Sequence, residues 1–260
     1  MNLEKLHQEV IRLVLEAGRL AKEKSVTGIK AKGAFDFVTQ TDQMVDALLR
    51  KELAELLPGS HFVTEENDDR DYSYVEPTWV VDPIDGTSNL IFGMNQSAVS
   101  VALLVEGVPT SGVVYNPFTD ELFTALRGAG AYLNGEPIHV SGHRTMGETL
   151  IGVGTNPYNK ENTAVTFAII EAVFRDCVDI RRMGAGALDI CLVACGRLGG
   201  FFEKNLKPWD IAAGMVILLE AGGVCVGWDG KPLALTGPED VLCSNGFLQE
   251  TLMGYISRKG

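Results

Sequence analysis

Two aspartates stand three residues apart at the end of an apolar run, in the stretch W-V-V-D-P-I-D-G-T-S-N at positions 79–89. The apolar residues 79–81 predict a buried strand, and Pro83, which fixes φ and lacks an N–H group, predicts a turn directly after it. The carboxylates of Asp82 and Asp85 should repel each other there, so a cation must offset the cost of keeping them ionised. A hard divalent cation with oxygen ligands fits best, and Mg²⁺ is the first choice.

The residues after the second aspartate have the chemistry of an anion site. Gly86 permits close backbone approach, and Thr87, Ser88 and Asn89 add hydroxyls, an amide and N–H groups. N–H groups that face one point suit an anion such as phosphate. The alternative is an Asp-rich surface turn, although surface turns seldom follow a buried strand with this mix of residues.

Other carboxylates stand where predicted elements begin or end. Glu65 and a second glutamate follow a short predicted strand at 61–64. Asp42 falls in the first turn of a predicted helix, and Asp210 falls at the start of another. Both helix positions suit a capping aspartate, so capping is a full alternative to a catalytic role for Asp42. The four histidines have no recognisable catalytic spacing, and no Cys or His nucleophile arrangement competes with the carboxylates.

Composition limits the class of protein. The chain has 260 residues, 46% of them hydrophobic, which suits one large domain or two closely joined halves with a sizeable core. Its net charge of −12 disfavours nucleic acid or an anionic membrane as a partner. Five cysteines without a C-x-x-C pair favour a reducing cytoplasm, and the spacing of Cys191 and Cys195 favours core packing. The N-terminus lacks an apolar signal core, and no apolar stretch reaches the ~18 residues of a membrane helix.

The predicted elements change character near residue 150. Before it, periodicity and turn residues predict helices at 2–24 and from Asp42 to Pro58-Gly59, and β-like segments at 61–64, 79–81, 97–108, 110–115 and 121–126. After it, they predict strands at 150–153, 179–182, 200–203, 224–227 and 241–244, and helices at 161–175, 184–196, 208–219 and 247–258. The basic segment 28–37 is predicted to be a loop. Two interpretations of this loop have equal support: a mobile flap over a phosphate, or an ordinary solvated connection between two helices.

Three separated motifs together resemble the inositol monophosphatase family of Mg²⁺-dependent phosphatases, and the resemblance runs from the first helix to about residue 245. The residues F-V-T-E-E-N at 62–67 resemble the short glutamate motif of the family, with Thr64 where glycine is common. The stretch 79–89 matches the signature D-P-I-D-G-T-x-N, and K-P-W-D-I-A-A-G at 207–214 matches W-D-x-A-A-G. The second and third motifs together are highly specific.

The resemblance implies a set of metal ligands. Glu65, Asp82 and the carbonyl of Ile84 would hold a first Mg²⁺, and Asp82, Asp85 and Asp210 would hold a second. Glu65 would also support a more weakly bound third ion. Inhibition by Li⁺ at the second metal position is a further implied property.

The resemblance also implies catalytic and substrate-binding residues. Thr87, paired with Asp42, would help to deprotonate the attacking water, and Glu65 belongs to the catalytic set with them. The substrate would be bound by the N–H groups of Gly86 and Thr87 at its phosphate, and by Gly184, Gly186, Glu203 and Asp210. Gly186 stands where alanine is common, and the loop 155–158 departs from the animal enzymes. Because of these two departures, the resemblance implies the chemistry of the reaction but does not identify the substrate.

The expected fold is α/β, with helices and sheets layered as an αβαβα sandwich of the inositol monophosphatase and fructose-1,6-bisphosphatase type. Residues 1–145 should form an α+β part with a large, mainly antiparallel sheet and the metal motifs. Residues 146–260 should form a smaller α/β part that completes the site.

The expected activity is Mg²⁺-dependent hydrolysis of a small phosphorylated polyol or sugar, with inositol monophosphate as the first choice. Fructose 1,6-bisphosphate, histidinol phosphate and adenosine 3′,5′-bisphosphate are alternative substrates. A non-catalytic regulatory binder that kept the fold is the alternative from another class. The resemblance implies a homodimer, with the apolar segment 97–108 and its hairpins as interface material.

Overall fold

Seven α-helices and fourteen strands make up the part of the chain that the computed structural model describes, residues 2–23, 27–33, 36–66, 72–161 and 163–259. The helices are α1 (Leu3–Glu23), α2 (Gln40–Leu56), α3 (Thr87–Ile91), α4 (Thr163–Asp176), α5 (Gly186–Ala194), α6 (Pro208–Glu220) and α7 (Gln249–Lys259). The strands are β1 (Lys30–Ala31), β2 (Phe37–Val38), β3 (His61–Thr64), β4 (Thr78–Asp85), β5 (Ala98–Val105), β6 (Val108–Asn116), β7 (Glu121–Leu126), β8 (Ala131–Leu133), β9 (Glu136–Pro137), β10 (Leu150–Val153), β11 (Asp179–Arg181), β12 (Gly200–Leu206), β13 (Val224–Gly227) and β14 (Glu239–Ser244).

The larger sheet has seven strands in the order β3-β4-β5-β6-β7-β8-β9 within the described residues. β3 and β4 run parallel, and each later pair of neighbours is antiparallel. The parallel pair brings the carboxyl ends of β3 and β4 to the same edge of the sheet, since parallel strands point the same way. The two acidic motifs that follow these strands in the sequence are therefore neighbours in space.

The smaller sheet has five strands in the order β11-β10-β12-β14-β13 within the described part of the chain. β10 is parallel to both of its neighbours, and β14 is antiparallel to both of its own. This sheet is separate from the larger one, and the division expected near residue 145 stays a prediction.

The helices form three layers, one on the outer face of each sheet and one between the two sheets. A separate hydrophobic core lies under each layer of helices. α1 and α2 cover one face of the larger sheet over Trp79, and α5 and α6 lie between the sheets around Ile217. α4 and α7 cover the outer face of the smaller sheet over Phe202. Cys191 is fully buried in α5, as core packing predicts. The order helix, sheet, helix, sheet, helix confirms the predicted αβαβα sandwich.

The strand predicted at 79–81 continues through both aspartates. β4 runs on to Asp85, and all eight of its residues are buried. Pro83 does not end the strand, because the register against β5 shifts between Asp82 and Asp85. Such a bulge is one of the places where a strand tolerates proline, and it turns side chains to a new direction.

The sequence predicts a loop for segment 28–37, but its described part contains β1, which pairs with β2 as a short antiparallel ribbon. The short helix α3 was not predicted, and β12 extends three residues beyond the predicted 200–203. Residues 34 and 35 of that loop, residue 24 of the first helix and residue 67 of the glutamate motif lie outside the described residues.

The prediction that residues 97–108 supply interface material is wrong for the strand itself. β5 is hydrogen-bonded to β4 on one side and to β6 on the other. Residues 98–104 are all buried within this one chain, with α1 and α6 packed on β5. Nor does any helix among the described residues combine the length and hydrophobicity that a membrane crossing requires.

Candidate active site

Three carboxylates converge in a cavity at the ends of β4 and the beginning of α6. The ligand oxygens of Asp82, Asp85 and Asp210 all lie within 4.8 Å of one another. They line a cavity of about 310 Å³. Asp82 is 2% exposed and Asp85 is 6% exposed, so water cannot screen their mutual repulsion well. Closely spaced carboxylate oxygens of this kind are the donor set of a hard divalent cation.

Backbone N–H groups fix the orientation of each carboxylate. Oδ1 of Asp85 accepts from the N–H of Gly186 at 3.2 Å, and Oδ2 accepts from the N–H of Ala187 at 2.8 Å. Oδ2 of Asp210 accepts from the N–H of Lys207 at 2.7 Å, at the start of α6. The start of α5 and the start of α6 therefore hold two of the three carboxylates in place, as helix N-termini favour. Asp210 is both a capping residue and a member of the cluster.

The third carboxylate is held within its own strand. Oδ1 of Asp82 accepts from the N–H of Ile84 at 3.0 Å, inside the bulge of β4. Ile84 lines the same cavity, and its carbonyl oxygen lies 3.0 Å from the hydroxyl oxygen of Thr87. The bulge thus turns a carboxylate and a carbonyl to the same side, both of them predicted metal ligands.

Burial and mutual repulsion dominate the electrostatics of the cluster. Burial raises the pKa of Asp82 well above its usual range, and the neighbouring charges of Glu65 and Asp85 raise it further. Burial raises the pKa of Asp85 to about 7, although the N–H groups of Ala187 and Gly186 oppose the shift. Burial and then Asp85 raise the pKa of Asp210. Such shifts mark groups that need a cation to remain ionised.

Glu65 lies in the same cavity but outside the closest group of oxygens. Its N–H donates to the carbonyl of Val81 at 3.2 Å, which places it beside Asp82 across the parallel strand pair. Oε1 of Glu65 accepts from Nζ of Lys32 at 3.1 Å, and the same ammonium group contacts Glu66 at 2.5 Å. Burial raises the pKa of Glu65 to about 7, against the opposing effect of Lys32. The basic segment 28–37 therefore reaches the site through Lys32.

Thr87 and Asp42 meet at the edge of the cluster. The hydroxyl of Thr87 donates to Oδ1 of Asp42 at 2.8 Å. Asp42 is 1% exposed, and its Oδ2 accepts from the N–H and the hydroxyl of Thr39 in the capping box of α2. The structure therefore brings together the two residues predicted for water activation.

Gly86 is required at the turn between β4 and α3. Its φ is +82°, in the left-handed region that favours glycine. A Cβ at this position would lie 2.9 Å from the carbonyl oxygen of Gln96 and 3.1 Å from Cβ of Ala185. The turn that brings Gly86 and Thr87 to the cavity therefore requires glycine at position 86.

A smaller cavity of about 60 Å³ adjoins the carboxylate cluster and shares Asp85 and Asp210 with it. Gly184, Gly186 and Glu203 line this side cavity, as predicted for residues that face the alcohol part of a substrate. A Cβ on Gly186 would lie 3.4 Å from Cβ of Asp210, which is ordinary contact distance. Alanine would fit there, so glycine leaves extra room in the side cavity.

Glu203 is seated against the loop 155–158. Its Oε1 accepts from the N–H of Asn156 at 2.9 Å, and burial raises its pKa. A Cβ on Gly154 would lie 1.9 Å from Cδ of Glu203, so only glycine leaves room for this carboxylate. Tyr158, at the end of the loop, lines both cavities. Glu203 therefore positions the predicted specificity loop as well as lining the side cavity.

Two ionisable residues near the side cavity were not predicted from the sequence. Arg182 lines it, two residues before Gly184. Asp189 lies behind it in α5, 1% exposed, with an Oδ1 that has no partner among the described residues. Burial raises the pKa of Asp189 well above its usual range, and Glu203 raises it further. Arg182 could have been found from its position two residues before Gly184 in the sequence. Asp189 could have been found as an acidic residue inside an apolar predicted helix.

Comparisons with known proteins extend over the whole chain. A model of the inositol monophosphatase family matches residues 2–259. An inositol-1-monophosphatase of Rhizobium meliloti (strain 1021) is 35% identical over 255 residues, which is 96% of this chain and 95% of the relative.

Solved structures agree with the sequence comparisons. The extragenic suppressor protein suhB of Bartonella henselae superposes with a TM-score of 0.91 at 31% identity, over 98% of this chain and 99% of that one. An inositol monophosphatase II of Staphylococcus aureus, solved with inositol monophosphate bound, superposes with a TM-score of 0.84 at 28% identity, over 100% of this chain and 96% of that one.

Proposed function

The chain belongs to the inositol monophosphatase family, whose members hydrolyse phosphate monoesters, and on that premise we propose a Mg²⁺-dependent phosphatase of small phosphorylated polyols, with inositol monophosphate as its first substrate. The observation that carries the proposal is the cluster of buried Asp82, buried Asp85 and half-buried Asp210, with all three ligand oxygens within 4.8 Å of one another. The bound inositol monophosphate of the Staphylococcus aureus relative supports the substrate class.

The donor set fits magnesium. The cluster offers only carboxylate oxygens, and Glu65 and the Ile84 carbonyl line the same cavity. Hard divalent cations take such oxygen ligands, whereas softer transition metals favour imidazole or thiolate. Magnesium bound there would lower the pKa of the attacking water and stabilise the charge on the leaving oxygen.

Thr87 and Asp42 are the proposed proton-handling pair. When the Thr87 hydroxyl donates to Oδ1 of Asp42, a lone pair on its oxygen is free to accept from a water in the cavity. A threonine hydroxyl alone is too weak a base, so the carboxylate has to orient it and accept the proton. The charge of Asp42 also raises the pKa of Glu65, which is the third member of the proposed catalytic set.

Two further groups are proposed to hold the substrate. Gly86 and Thr87 line the cavity at the turn before α3, and their N–H groups are the proposed partners of the phosphate oxygens. Glu203, Gly184 and Gly186 line the side cavity, where the alcohol part of the substrate would lie. The phosphate would thus lie in the larger cavity and the alcohol part in the side cavity. Asp85 and Asp210 line both cavities, and Asp210 is proposed for both metal and substrate contact.

A phosphate-release assay tests the proposal. Inositol 1-phosphate should release phosphate in Mg²⁺, chelation with EDTA should abolish release, and added Mg²⁺ should restore it. Fructose 1,6-bisphosphate, histidinol phosphate and adenosine 3′,5′-bisphosphate are the other substrates of the panel, and a faster rate on one of them would replace inositol phosphate. Release that continues in EDTA would overturn the metal assignment, and absence of release from the whole panel would favour a non-catalytic regulatory binder.

Assembly, lithium inhibition and location remain parts of the proposal. A homodimer should show twice the 28.1 kDa mass of one chain by light scattering at micromolar concentration, and a strictly monomeric mass would refute it. Li⁺ should inhibit phosphate release at the second metal position. A cytoplasmic location stays a prediction from the cysteine usage.

A further inference from the structure

Cys225 and Cys243 face each other across two strands of the smaller sheet. β13 and β14 are antiparallel, and their register places Cys225 directly opposite Cys243. The two sulfur atoms lie 3.4 Å apart, within hydrogen-bond distance for thiols. Of the five cysteines, all of which belong to the described residues, these are the two whose sulfur atoms are hydrogen-bonded to each other.

The pair occupies a position where side chains on neighbouring strands come close. The N–H of Trp228 donates to the carbonyl of Asp240 at 3.0 Å, so that facing pair is of the hydrogen-bonded kind. The two kinds of pair alternate along an antiparallel ladder, and Cys225 stands three residues before Trp228. Cys225 and Cys243 are therefore a non-hydrogen-bonded pair, with Cα atoms ~4.5 Å apart. A disulfide can span this separation.

The two thiols differ in their access to solvent. Both belong to the hydrophobic core between the two sheets, where α5 and α6 pack. Cys243 is fully buried, and burial raises the pKa of its thiol well above the usual value. Cys225 is 5% exposed and lies on β13, which is an edge strand of the described sheet. A strand that is paired on one side opens locally at lower free energy than a central one, so a small oxidant reaches Cys225 first.

We propose that Cys225 and Cys243 form a reversible disulfide when the protein meets a hydroperoxide, and that this bond fastens β13 to β14 and stabilises the fold. The thiolate of Cys225 attacks the peroxide, the O–O bond breaks, and the leaving oxygen takes the thiol proton and departs as an alcohol or as water. Cys225 is then a sulfenic acid. The thiol of Cys243 attacks its sulfur, the S–S bond forms, and the sulfenic oxygen leaves as water. The two thiols lose two electrons, which reduce one hydroperoxide.

The disulfide would act on the fold and not on the carboxylate site. It would close a loop of about 18 residues and so restrict the unfolded chain, which stabilises the folded one. Neither cysteine is among the residues that line the two cavities of the candidate site, so the inference does not depend on the proposed function. In the reducing cytoplasm that the cysteine usage predicts, the bond would be transient and would form under oxidising conditions.

Thiol counting tests whether the bond forms. The native protein is treated with hydrogen peroxide or with diamide, then denatured and labelled with N-ethylmaleimide. The reduced chain should take five labels and the oxidised chain three, because one disulfide removes two thiols, and dithiothreitol should restore all five. Peptide mapping should place the bond between Cys225 and Cys243. Five labels after both oxidants, or a bond that involves Cys191 or another chain, would overturn the proposal.

Thermal unfolding tests the effect on stability. The oxidised parent should unfold about 5–10 °C above the reduced parent, the shift expected when a loop of this length is closed. Cys225→Ala and Cys243→Ala should show no shift, and Cys195→Ala, which keeps the pair, should match the parent. Each shift is measured between the oxidised and reduced forms of one protein, so a lower stability of a variant does not affect the comparison.

Two results of the unfolding experiment would contradict the proposal. A shift of the parental size in Cys225→Ala would assign the stabilisation to another oxidised group. An oxidised parent that carries the mapped bond but unfolds at the same or a lower temperature would overturn the stabilising role. Neither measurement uses turnover, so a failure of the phosphate-release assay leaves both outcomes interpretable.

Discussion

Asp42 uses one carboxylate oxygen for the hydroxyl of Thr87, at 2.8 Å, and the other for the N–H of Thr39, at 2.9 Å. The sequence left helix capping and catalysis as alternatives for this residue. The capping interpretation is confirmed by the capping box of α2, and it does not exclude the other one, because the two functions use different oxygens. The catalytic role stays a proposal, and it can be separated from capping by changing the two threonines instead of the aspartate.

Thr87→Val should lower turnover without much loss of stability. The valine has nearly the same shape but cannot orient a water or pass a proton to Asp42, so turnover should fall ~10²-fold or more, the usual scale for a general base. Thr39→Ala is the matched control. It removes the capping hydroxyl and should cost about 0.5–2 kcal/mol of unfolding free energy with turnover near that of the parent. Turnover and urea unfolding are measured on the same preparations.

The opposite pattern would contradict the assignment. If Thr39→Ala lost turnover as strongly as Thr87→Val, then the order of α2 and not the Thr87 hydroxyl would limit the reaction. If Thr87→Val kept parental turnover, then water activation would not involve this pair. Thr87→Ser keeps the hydroxyl and should recover most of the lost rate.

Asp82→Asn should remove activity while it stabilises the metal-free protein. Asp82 is buried among like charges, as the raised pKa of its carboxyl reflects, so a neutral amide of similar size relieves repulsion. The amide oxygen can keep the hydrogen bond from the Ile84 N–H. In EDTA the variant should therefore unfold at the same or a higher temperature than the parent, with turnover in Mg²⁺ reduced by several orders of magnitude.

Magnesium titration provides the independent measurement for Asp82→Asn. Mg²⁺ should raise the unfolding temperature of the parent, because it binds only the folded state, and should leave that of the variant nearly unchanged. Full turnover of the variant, or an equal Mg²⁺-induced shift, would remove Asp82 from the proposed ligand set.

Gly154→Ala should mimic Glu203→Ala in substrate ranking. A Cβ at residue 154 would lie 1.9 Å from Cδ of Glu203. The Glu203 side chain must therefore move, and its hydrogen bond from the N–H of Asn156 must break. Both variants should change the order of rates across the substrate panel, and the double variant should be little worse than either, because both remove the same contact. Gly142→Ala, which meets nothing within 4 Å, is the control.

A uniform loss across all substrates would show that Glu203 only supports the loop. The same rates are measured for each substrate at saturating and at low concentration, since a change in ranking should appear in kcat/KM. Additive effects of the two substitutions would indicate that Gly154 and Glu203 act on different parts of the site.

The residue types of the cluster were predictable from the sequence, whereas its geometry was only partly so. The strand that leads into Asp82 could be predicted from its apolar run, and Glu65 beside it follows from the parallel pairing of β3 and β4. The extension of β4 past Pro83 was not predictable from residue preferences, because a bulge depends on the register of the facing strand. The proximity of Asp210 to Asp85 came from the family resemblance and not from any local pattern.

Two errors have a common physical reason. An apolar strand such as β5 has the same pattern whether its own helices or a partner subunit cover it, so the sequence could not tell which. Arg182 was missed because its guanidinium fills the space beside Gly184, and that contact exists only in the folded chain. In both cases the contact that decides the outcome forms only in the folded chain, so the local sequence pattern used for the prediction does not contain it.

His7 should make stability fall on acidification. This residue of α1 is 7% exposed, and its Nδ1 lies 2.7 Å from Oγ of Ser111 on β6. Burial lowers the pKa of His7 below its usual value of 6.5. Between that lowered pKa and 6.5 the unfolded chain binds more protons than the folded one, so the free energy of unfolding rises with pH there. The contribution is complete above pH 6.5 and is lost as the pH falls through the folded-state pKa.

Comparison of the parent with His7→Gln isolates this contribution from the many other titrating groups. The difference in unfolding free energy between the two proteins should change with pH below 6.5 by at most about 1.4 kcal/mol per pH unit, the limit for one proton. Above pH 6.5 the difference should be constant. Ser111→Ala is the control, because it removes the hydrogen bond but leaves the ring buried, so its loss of acid stability should follow that of the parent. Urea unfolding at half-unit steps from pH 5 to 8 measures all three curves, and a pH-independent gap between the parent and His7→Gln would show that burial of this ring does not affect its protonation.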